Sequence, residues 1–113
     1  MSRSFRLTRR AEQSLLDIAT HTIKTFGPRQ ADLYEAEILE RCAAILSGQA
    51  HSRSCAILIN GAADLRYLRA GEHFLEFLDR EDEVIIVDIL HARSDLPRHI
   101  AALLVLGPDP SGH

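Results

Sequence analysis

Two amphipathic segments occupy the first half of the chain, and their apolar positions recur every three or four residues. Thr8 supplies an N-cap oxygen for a helix that runs to about Phe26. Gly27 and Pro28 separate it from a second helix over about 28–47, because glycine readily closes one helix and proline suits the first turn of the next. Two amphipathic helices joined by so short a turn are expected to pack as an antiparallel hairpin. The predicted inward positions are Ala11, Leu15, Ile18, Ala19, Thr22, Ile23 and Phe26 in the first helix and Ala31, Tyr34, Ile38, Cys42, Ile45 and Leu46 in the second.

Alternating and apolar segments elsewhere in the chain predict strands. Residues 3–7 alternate polar and apolar side chains and are predicted to form a short strand before the first helix. Residues 48–64 contain glycine, serine and asparagine and are predicted to form a loop. Three strands should follow, over residues 65–69, 73–79 and 83–91, and their short connections predict antiparallel pairing.

A final helical turn is expected after the strands. Asp95 can cap this turn, and Ile100 and Leu103 give it an apolar face. Residues 107–113 are predicted to form a flexible tail after a single domain over residues 1–106. The predicted fold is therefore α+β. An N-terminal strand and an α-helical hairpin pack on a small antiparallel sheet in the order β-α-α-β-β-β, with a short C-terminal helical turn.

Asp88 is the unusual residue of the last predicted strand, which is otherwise apolar at its centre. Strand alternation gives one all-apolar face that should cover the helical hairpin, and it puts Asp88, with Glu76 and His91, on the opposite, open face. A carboxylate on a central strand is costly unless it is paired or wetted, so we expect Arg66, or Glu76 through a water, as its neighbour. A structural pair with arginine is favoured over a catalytic acid, because neither a reacting group nor a charge-stabilising partner is evident. Alternation assigns Val84, Ile86 and Leu90 to the face of Asp88, and Ile85, Val87 and Ile89 to the other face.

Composition and charge exclude several classes of protein. The 113 residues are 46% hydrophobic and 26% charged, which is an ordinary globular balance. The net charge of −3 is unsuited to coating a phosphate backbone, so we expect no direct sequence-specific nucleic-acid binding by this protein alone. No apolar run approaches the roughly 18 residues that span a bilayer, and the N-terminus lacks the pattern of a secretory signal. We therefore expect a cytoplasmic protein without membrane contact.

The cysteines and histidines are the residues that most invite a chemical role. Cys42 lies on a predicted inward helix face and is expected to pack as a small hydrophobe, whereas Cys55 is predicted to be an ordinary exposed loop thiol. The tightest metal-ligand spacing is that of His91, Asp95 and His99, but these residues fall on different predicted elements. We favour His91 as a partly buried strand-end residue with a backbone or carboxylate partner. No metal, cofactor or catalytic residue is expected.

The order and spacing of several short motifs resemble the ParE branch of the RelE/ParE toxin superfamily over about residues 3–101. The resemblance implies the fold predicted above, a toxin that inhibits DNA gyrase or another type II topoisomerase, and a ParD-like antitoxin that lies across the toxin and neutralises it. The motifs are Phe5-Arg6-Leu7-Thr8-Arg9-Arg10-Ala11-Glu12, Phe26-Gly27 with Gln30-Ala31 and Tyr34, Ser52-Arg53-Ser54-Cys55, Leu65-Arg66, Gly71-Glu72-His73-Phe74, Ile89-Leu90-His91-Ala92-Arg93-Ser94-Asp95 and Arg98-His99-Ile100.

The resemblance also suggests where partners would bind. An apolar groove between helices and sheet, edged by Leu33, Tyr34 and Leu103, should accept an amphipathic antitoxin helix, with Arg66 and Arg69 gripping acidic side chains. The candidate target-binding residues are Arg93, Asp95, Arg98 and His99.

Two alternatives stay open. The RelE branch cuts mRNA on the ribosome, and many relatives carry arginine at the position of Asp88. A carboxylate there would repel the transition state, and neither Tyr34 nor Tyr67 is near the C-terminus. The second alternative is a non-toxic member that only binds the antitoxin.

Overall fold

The computed structural model describes residues 4–55 and 65–106, so part of the predicted loop and the predicted tail lie outside the described residues. Within these residues, three helices and five strands follow one another. They are β1 (Ser4–Leu7), α1 (Arg9–Phe26), α2 (Pro28–Leu46), β2 (Arg53–Ser54), β3 (Leu65–Ala70), β4 (His73–Asp79), β5 (Glu83–His91) and α3 (Leu96–Leu106). The predicted α+β class and the order of the predicted elements are confirmed. The structure adds β2, which falls in the predicted loop, and α3 has 11 residues where only a short turn was expected.

Thr8 and Gly27 define the ends of α1, as predicted. The Thr8 hydroxyl accepts a hydrogen bond from the N–H of Ala11 at 3.1 Å and donates one to the carbonyl of Val87 at 2.6 Å. This side chain therefore caps the helix and ties its first turn to β5. Gly27 has a φ of 94°, a conformation that favours glycine, and its N–H donates to the Ile23 carbonyl at 2.9 Å.

The sheet has the order β1-β5-β4-β3-β2 and is mixed. The pairs β3–β4 and β4–β5 are antiparallel, as predicted, but β1 pairs with β5 in parallel. The prediction of a wholly antiparallel sheet was wrong because β1 and β5 are joined by the helical hairpin and other strands, and sequence alternation carries no information about such a distant pairing.

Both faces of the sheet are covered. The α1–α2 hairpin packs on one face and α3 on the other, which places the interior strand β5 between two apolar layers. The hairpin layer contains Ala11, Ile38, Cys42, Ile45, Leu68, Ala70, Leu75, Phe77, Val84, Ile86 and Ile89, and the α3 layer contains Cys55, Leu65, Leu78, Ile85, Val87, Leu96, Ile100 and Leu103.

A β-bulge in β5 overturns the predicted assignment of its faces. Glu76 pairs with Asp88, but the next residue of β4, Phe77, pairs with Ile86, so Val87 is the extra residue of β5. Alternation therefore breaks at Val87, and only Ile89 of the predicted apolar set faces the hairpin. The face of Asp88 is not open either, because α3 covers it. Val84 and Ile86 pack against the hairpin, while Ile85 and Val87 pack beneath α3.

The last turns of α1 are more exposed than the sequence pattern suggests. Ile23 is 48% exposed and Phe26 is 69% exposed, although both were predicted to face inward. Thr22 occupies the buried position in this part of the helix, and Ile23 lies beside it. Phe26 is the last residue of α1 and borders a cleft, so no neighbouring element covers its ring.

Candidate functional site

Three ionisable side chains from β4, β5 and α3 meet between the sheet and α3. Glu76 and Asp88 are cross-strand neighbours, and His99 reaches both of them from α3. Its Nε2 lies 3.0 Å from Asp88 Oδ2, and its Nδ1 lies 3.4 Å from Glu76 Oε1. Glu76 is 0% exposed and Asp88 is 6% exposed. We call Glu76, Asp88 and His99 the carboxylate–histidine cluster.

The two carboxylates of the cluster differ in how their oxygens are satisfied. Asp88 Oδ1 accepts hydrogen bonds from the Ser14 hydroxyl at 2.6 Å and from the Ile89 N–H at 2.7 Å. Neither Glu76 oxygen has a hydrogen-bond partner among the described residues, and the same holds for His99 Nδ1. Hydrogen bonds therefore hold Asp88 in place. Glu76 points into the cluster, and its two carboxylate oxygens remain available to bind a ligand.

Burial governs the protonation of the cluster. Burial, and to a smaller extent the nearby Asp88 carboxylate, raise the pKa of Glu76 to about 8 against the lowering effect of Arg10. The pKa of Asp88 is also raised by burial, against the lowering effect of the Ser14 and Ile89 hydrogen bonds. The pKa of His99 is lowered by burial, although Asp88 favours its charged form. Two like charges in a dry site favour uptake of a positive species, either a proton or a metal ion.

Of the two neighbours predicted for Asp88, Glu76 is its cross-strand neighbour, but Arg66 is not in contact with it. Arg66 lies elsewhere, donating from Nε to the Ser52 hydroxyl at 2.7 Å and from Nη2 to the Ser52 carbonyl at 3.0 Å. His99 takes its place beside Asp88. The sequence feature that could have predicted this contact is the helical spacing of His99 from Leu96 and Leu103. This spacing puts all three side chains on the inward face of α3.

The three residues with metal-ligand spacing, His91, Asp95 and His99, do not come together. This agrees with their prediction on different elements. His91 Nδ1 accepts a hydrogen bond from the Arg93 N–H at 3.0 Å, which confirms a backbone partner, but His91 is exposed and not partly buried as predicted, because it is the last residue of β5. Asp95 Oδ1 accepts from the Arg98 N–H at 3.1 Å and so caps α3. His99 turns inward instead.

The cysteine predictions have mixed outcomes. Cys42 is buried as expected, and burial raises the pKa of its thiol to about 11. Cys55 was expected to be exposed but is 0% exposed in the α3 layer, and burial raises the pKa of its thiol to about 12. The prediction was wrong because α3 packs over the end of the segment that was predicted to be a loop. Both thiols are therefore poor nucleophiles.

A cleft of about 780 Å³ lies beside the end of α1, the start of α2 and the ends of β4 and β5. Its wall combines apolar and imidazole groups with one arginine and two carboxylates. Tyr34 is part of this wall, with its hydroxyl 2.6 Å from His73 Nδ1 and accepting the Glu72 N–H at 2.8 Å. The cleft is lined by Asp17, Ile18, His21, Thr22, Phe26, Gln30, Tyr34, Glu72, His73, His91 and Arg93.

The predicted antitoxin groove is not one continuous surface in this structure. Leu33 is 58% exposed on α2 and Tyr34 is half-buried, but Leu103 is 4% exposed in the α3 layer on the opposite face of the sheet. Arg69 is exposed, donates to the Gly71 carbonyl at 2.8 Å and lies over the Phe74 ring at 5.9 Å. Of the candidate target-binding residues, Arg93, Asp95 and Arg98 are exposed together at the β5–α3 connection.

Comparison with known proteins settles the family. A family model described as the ParE toxin of the type II toxin–antitoxin system parDE matches residues 5–96. The chain belongs to the ParE toxin family. No match was found among curated proteins. The match to the ParE toxin family includes Glu76 and Asp88 but ends at Leu96, so His99 and most of α3 lie beyond it.

A solved ParE-type structure has the same fold. A chain of the chromosomal ParDE TA system from P. aeruginosa is 21% identical and has a TM-score of 0.66. The similarity covers 80% of this ParE chain and 97% of that chain.

Within the described part of this ParE toxin, no helix is both long and apolar enough to cross a membrane.

Proposed function

We propose that this ParE toxin inhibits DNA gyrase, a type II topoisomerase of the cytoplasm, by protein–protein contact. A ParD-like antitoxin would neutralise it. The observation that carries the proposal is the match to the ParE toxin family over residues 5–96, together with the helical hairpin and sheet that this segment forms. Gyrase poisoning and neutralisation by an antitoxin are what membership of this family implies.

The outer surface of the hairpin supports a role in binding. Ile23, Phe26 and Leu33 are between 48% and 69% exposed, although each is a large apolar side chain. Apolar side chains grouped on one surface are typical of interaction sites. Phe26 also borders the cleft, where an aromatic ring beside a concave surface can act as an anchor for a partner.

An amphipathic antitoxin segment suits the cleft and its rim. Its apolar side would contact Phe26 and Leu33, and its acidic side chains would pair with Arg69 and Arg93, both of which are exposed. Leu103 is buried and Arg66 is held by Ser52, so these two residues would support the site without direct contact. Arg93 also belongs to an exposed polar surface with Asp95 and Arg98 that would contact the target, so the antitoxin and the target would share this residue.

The carboxylate–histidine cluster favours binding over catalysis. Its two carboxyl groups are almost fully buried, so neither can reach a scissile phosphate. A negative charge at Asp88 would also oppose the charge that develops on a phosphate during cleavage. This argues against the ribosome-dependent endonuclease activity of the RelE branch.

Induction of the gene in a bacterial host tests the proposal. Loss of plasmid supercoiling and double-strand breaks, both prevented by the co-expressed antitoxin, are expected. Cleavage of transcripts within translated codons would contradict the proposal in favour of an mRNA endonuclease. Normal growth with intact DNA, while the antitoxin still co-purifies, would contradict it in favour of a non-toxic binding protein.

A further inference from the structure

The carboxylate–histidine cluster unites donors from three different elements. Glu76 on β4, Asp88 on β5 and His99 on α3 each offer one ligand atom, and these atoms all lie within 4.8 Å of one another. Nitrogen and carboxylate ligands bound to one zinc ion at about 2.0–2.2 Å lie roughly 3–4 Å apart. Small rotations of the side chains would therefore bring the three donors around a single ion.

The state of Glu76 points to a ligand. Its side chain is 0% exposed, and both of its carboxylate oxygens lack a hydrogen-bond partner among the described residues. A buried carboxylate without a partner is costly when it is ionised, so Glu76 is expected to hold either a proton or a bound cation. His99 Nδ1, 3.4 Å from Glu76 Oε1, is likewise buried without a hydrogen bond among the described residues.

Charge around the cluster is only partly balanced. Arg10 is the basic residue whose charge acts on both carboxyl groups and on His99. One guanidinium opposes two carboxylates, which leaves a negative site when both are ionised. The Ser14 hydroxyl and the Ile89 N–H hold Oδ1 of Asp88 and leave its Oδ2 facing His99.

We propose that Glu76, Asp88 and His99 form a binding site for one zinc ion that ties α3 to the sheet. An imidazole beside two carboxylates suits zinc better than magnesium or calcium, which prefer oxygen ligands and keep more water. The Asp88 carboxylate is fixed by its hydrogen bonds, as ligands of structural metal sites commonly are. His99 lies beyond the segment that matches the ParE toxin family, so the complete ligand set combines that segment with the chain's own C-terminal helix.

Zinc titration of the purified full-length protein tests this proposal. After treatment with a chelator, the protein should bind one Zn²⁺ per chain in calorimetry, with a higher melting temperature, and Mg²⁺ at the same concentration should give neither effect. Glu76→Gln and His99→Gln should each weaken zinc binding by at least about 10- to 100-fold. Loss of an outer-shell partner alone has an effect of that size, and these two residues are proposed as direct ligands. His91→Gln removes an exposed histidine as a matched control and should keep wild-type binding.

The variants also separate the site from adventitious binding. Glu76→Gln preserves the shape of the side chain and removes its charge, so it should fold, which circular dichroism checks. Binding that survives in both Glu76→Gln and His99→Gln would overturn the proposal in favour of surface histidines. No stoichiometric Zn²⁺ binding by the wild-type protein would also overturn it and would leave a proton as the occupant of the cluster. Neither result depends on whether the protein poisons gyrase.

Discussion

The Tyr34 hydroxyl lies 2.6 Å from Nδ1 of His73 and joins helix α2 to strand β4. The same oxygen accepts the Glu72 N–H at 2.8 Å and lies 3.2 Å from the Ala70 carbonyl. One side chain of the helical hairpin thereby holds the whole β3–β4 turn. This contact also forms part of the wall of the cleft that we propose for the antitoxin.

Tyr34→Phe should destabilise the protein by about 1–3 kcal/mol, because the Glu72 N–H and His73 lose the hydroxyl that satisfies them. The free energy of unfolding in urea measures this loss. Tyr67→Phe is a matched control, because the Tyr67 ring packs against Phe74 and its hydroxyl has no hydrogen bond within the described residues. An equal loss in both variants would show that the Tyr34 hydroxyl has no special role.

Gly71 should tolerate no side chain. Its φ is 60°, and a Cβ atom there would lie 2.6 Å from Tyr34 Cε1. Gly48 has a similar φ of 75°, but a Cβ atom there would meet nothing within 4 Å, so Gly48→Ala reports backbone strain alone, about 1–2 kcal/mol. Gly71→Ala should cost more than that in urea unfolding. Equal costs for the two variants would contradict close packing of Tyr34 on the turn.

His73 should contribute a loss of stability as the pH drops from about 6.5 to 4, whereas Glu76, whose pKa is raised to about 8, contributes in the opposite sense. Burial, with smaller effects of His91 and His21 against that of Glu72, lowers the pKa of His73 to about 4. In this pH range the unfolded chain takes up a proton at His73 and the folded chain does not, so acid favours unfolding. Above pH 6.5 both states carry a neutral imidazole and this contribution no longer changes.

Replacement of His73 isolates its share of that pH dependence. The full shift corresponds to about 3 kcal/mol, and solvent screening at this half-buried residue reduces the expectation to on the order of 1–2 kcal/mol. Between pH 6.5 and 4, the change in unfolding free energy of His73→Phe should differ from that of the wild type by this amount, in the direction of less acid destabilisation. The neighbouring residues Tyr34 and Glu72 are the same in both proteins. If the unfolding free energy depends on pH identically in the wild type and in His73→Phe, the contribution assigned to His73 is contradicted.

Phe26→Ala should weaken antitoxin binding without weakening the fold. The Phe26 ring is 69% exposed, so its removal should change the free energy of unfolding by no more than about 0.5 kcal/mol. As an anchor at the cleft it should cost the complex about 2 kcal/mol or more, measured by titration calorimetry with the antitoxin. Leu16→Ala is the control on the same helix, 60% exposed and outside the cleft. Equal effects on affinity would remove the cleft from the proposed interface.

Local sequence pattern predicted the parts of the fold that depend on local contacts. The spacing of apolar residues in α1 and α2, with Gly27 between them, was enough to predict the hairpin. The short connections of β3, β4 and β5 were enough to predict antiparallel pairing. Each of these features is determined by residues that lie within about five positions of one another in the sequence.

The features that the sequence did not reveal arise from distant contacts. The extra residue Val87 shifts the alternation of β5, and its position depends on how β4 pairs with it. The parallel pairing of β1 with β5 joins residues almost 80 positions apart, as in Ser4 and Glu83. The burial of Glu76 likewise follows from α3 packing over the sheet, and so the carboxylate–histidine cluster appears only in three dimensions.

Inhibition of gyrase by direct contact with this ParE toxin is tested most directly in a supercoiling assay. The assay contains purified gyrase, relaxed plasmid and the purified full-length toxin. Supercoiling should fall and cleaved DNA should accumulate as the toxin is added, and antitoxin added beforehand should prevent both effects. Unchanged supercoiling and intact DNA with folded toxin in excess over gyrase would contradict inhibition by direct contact.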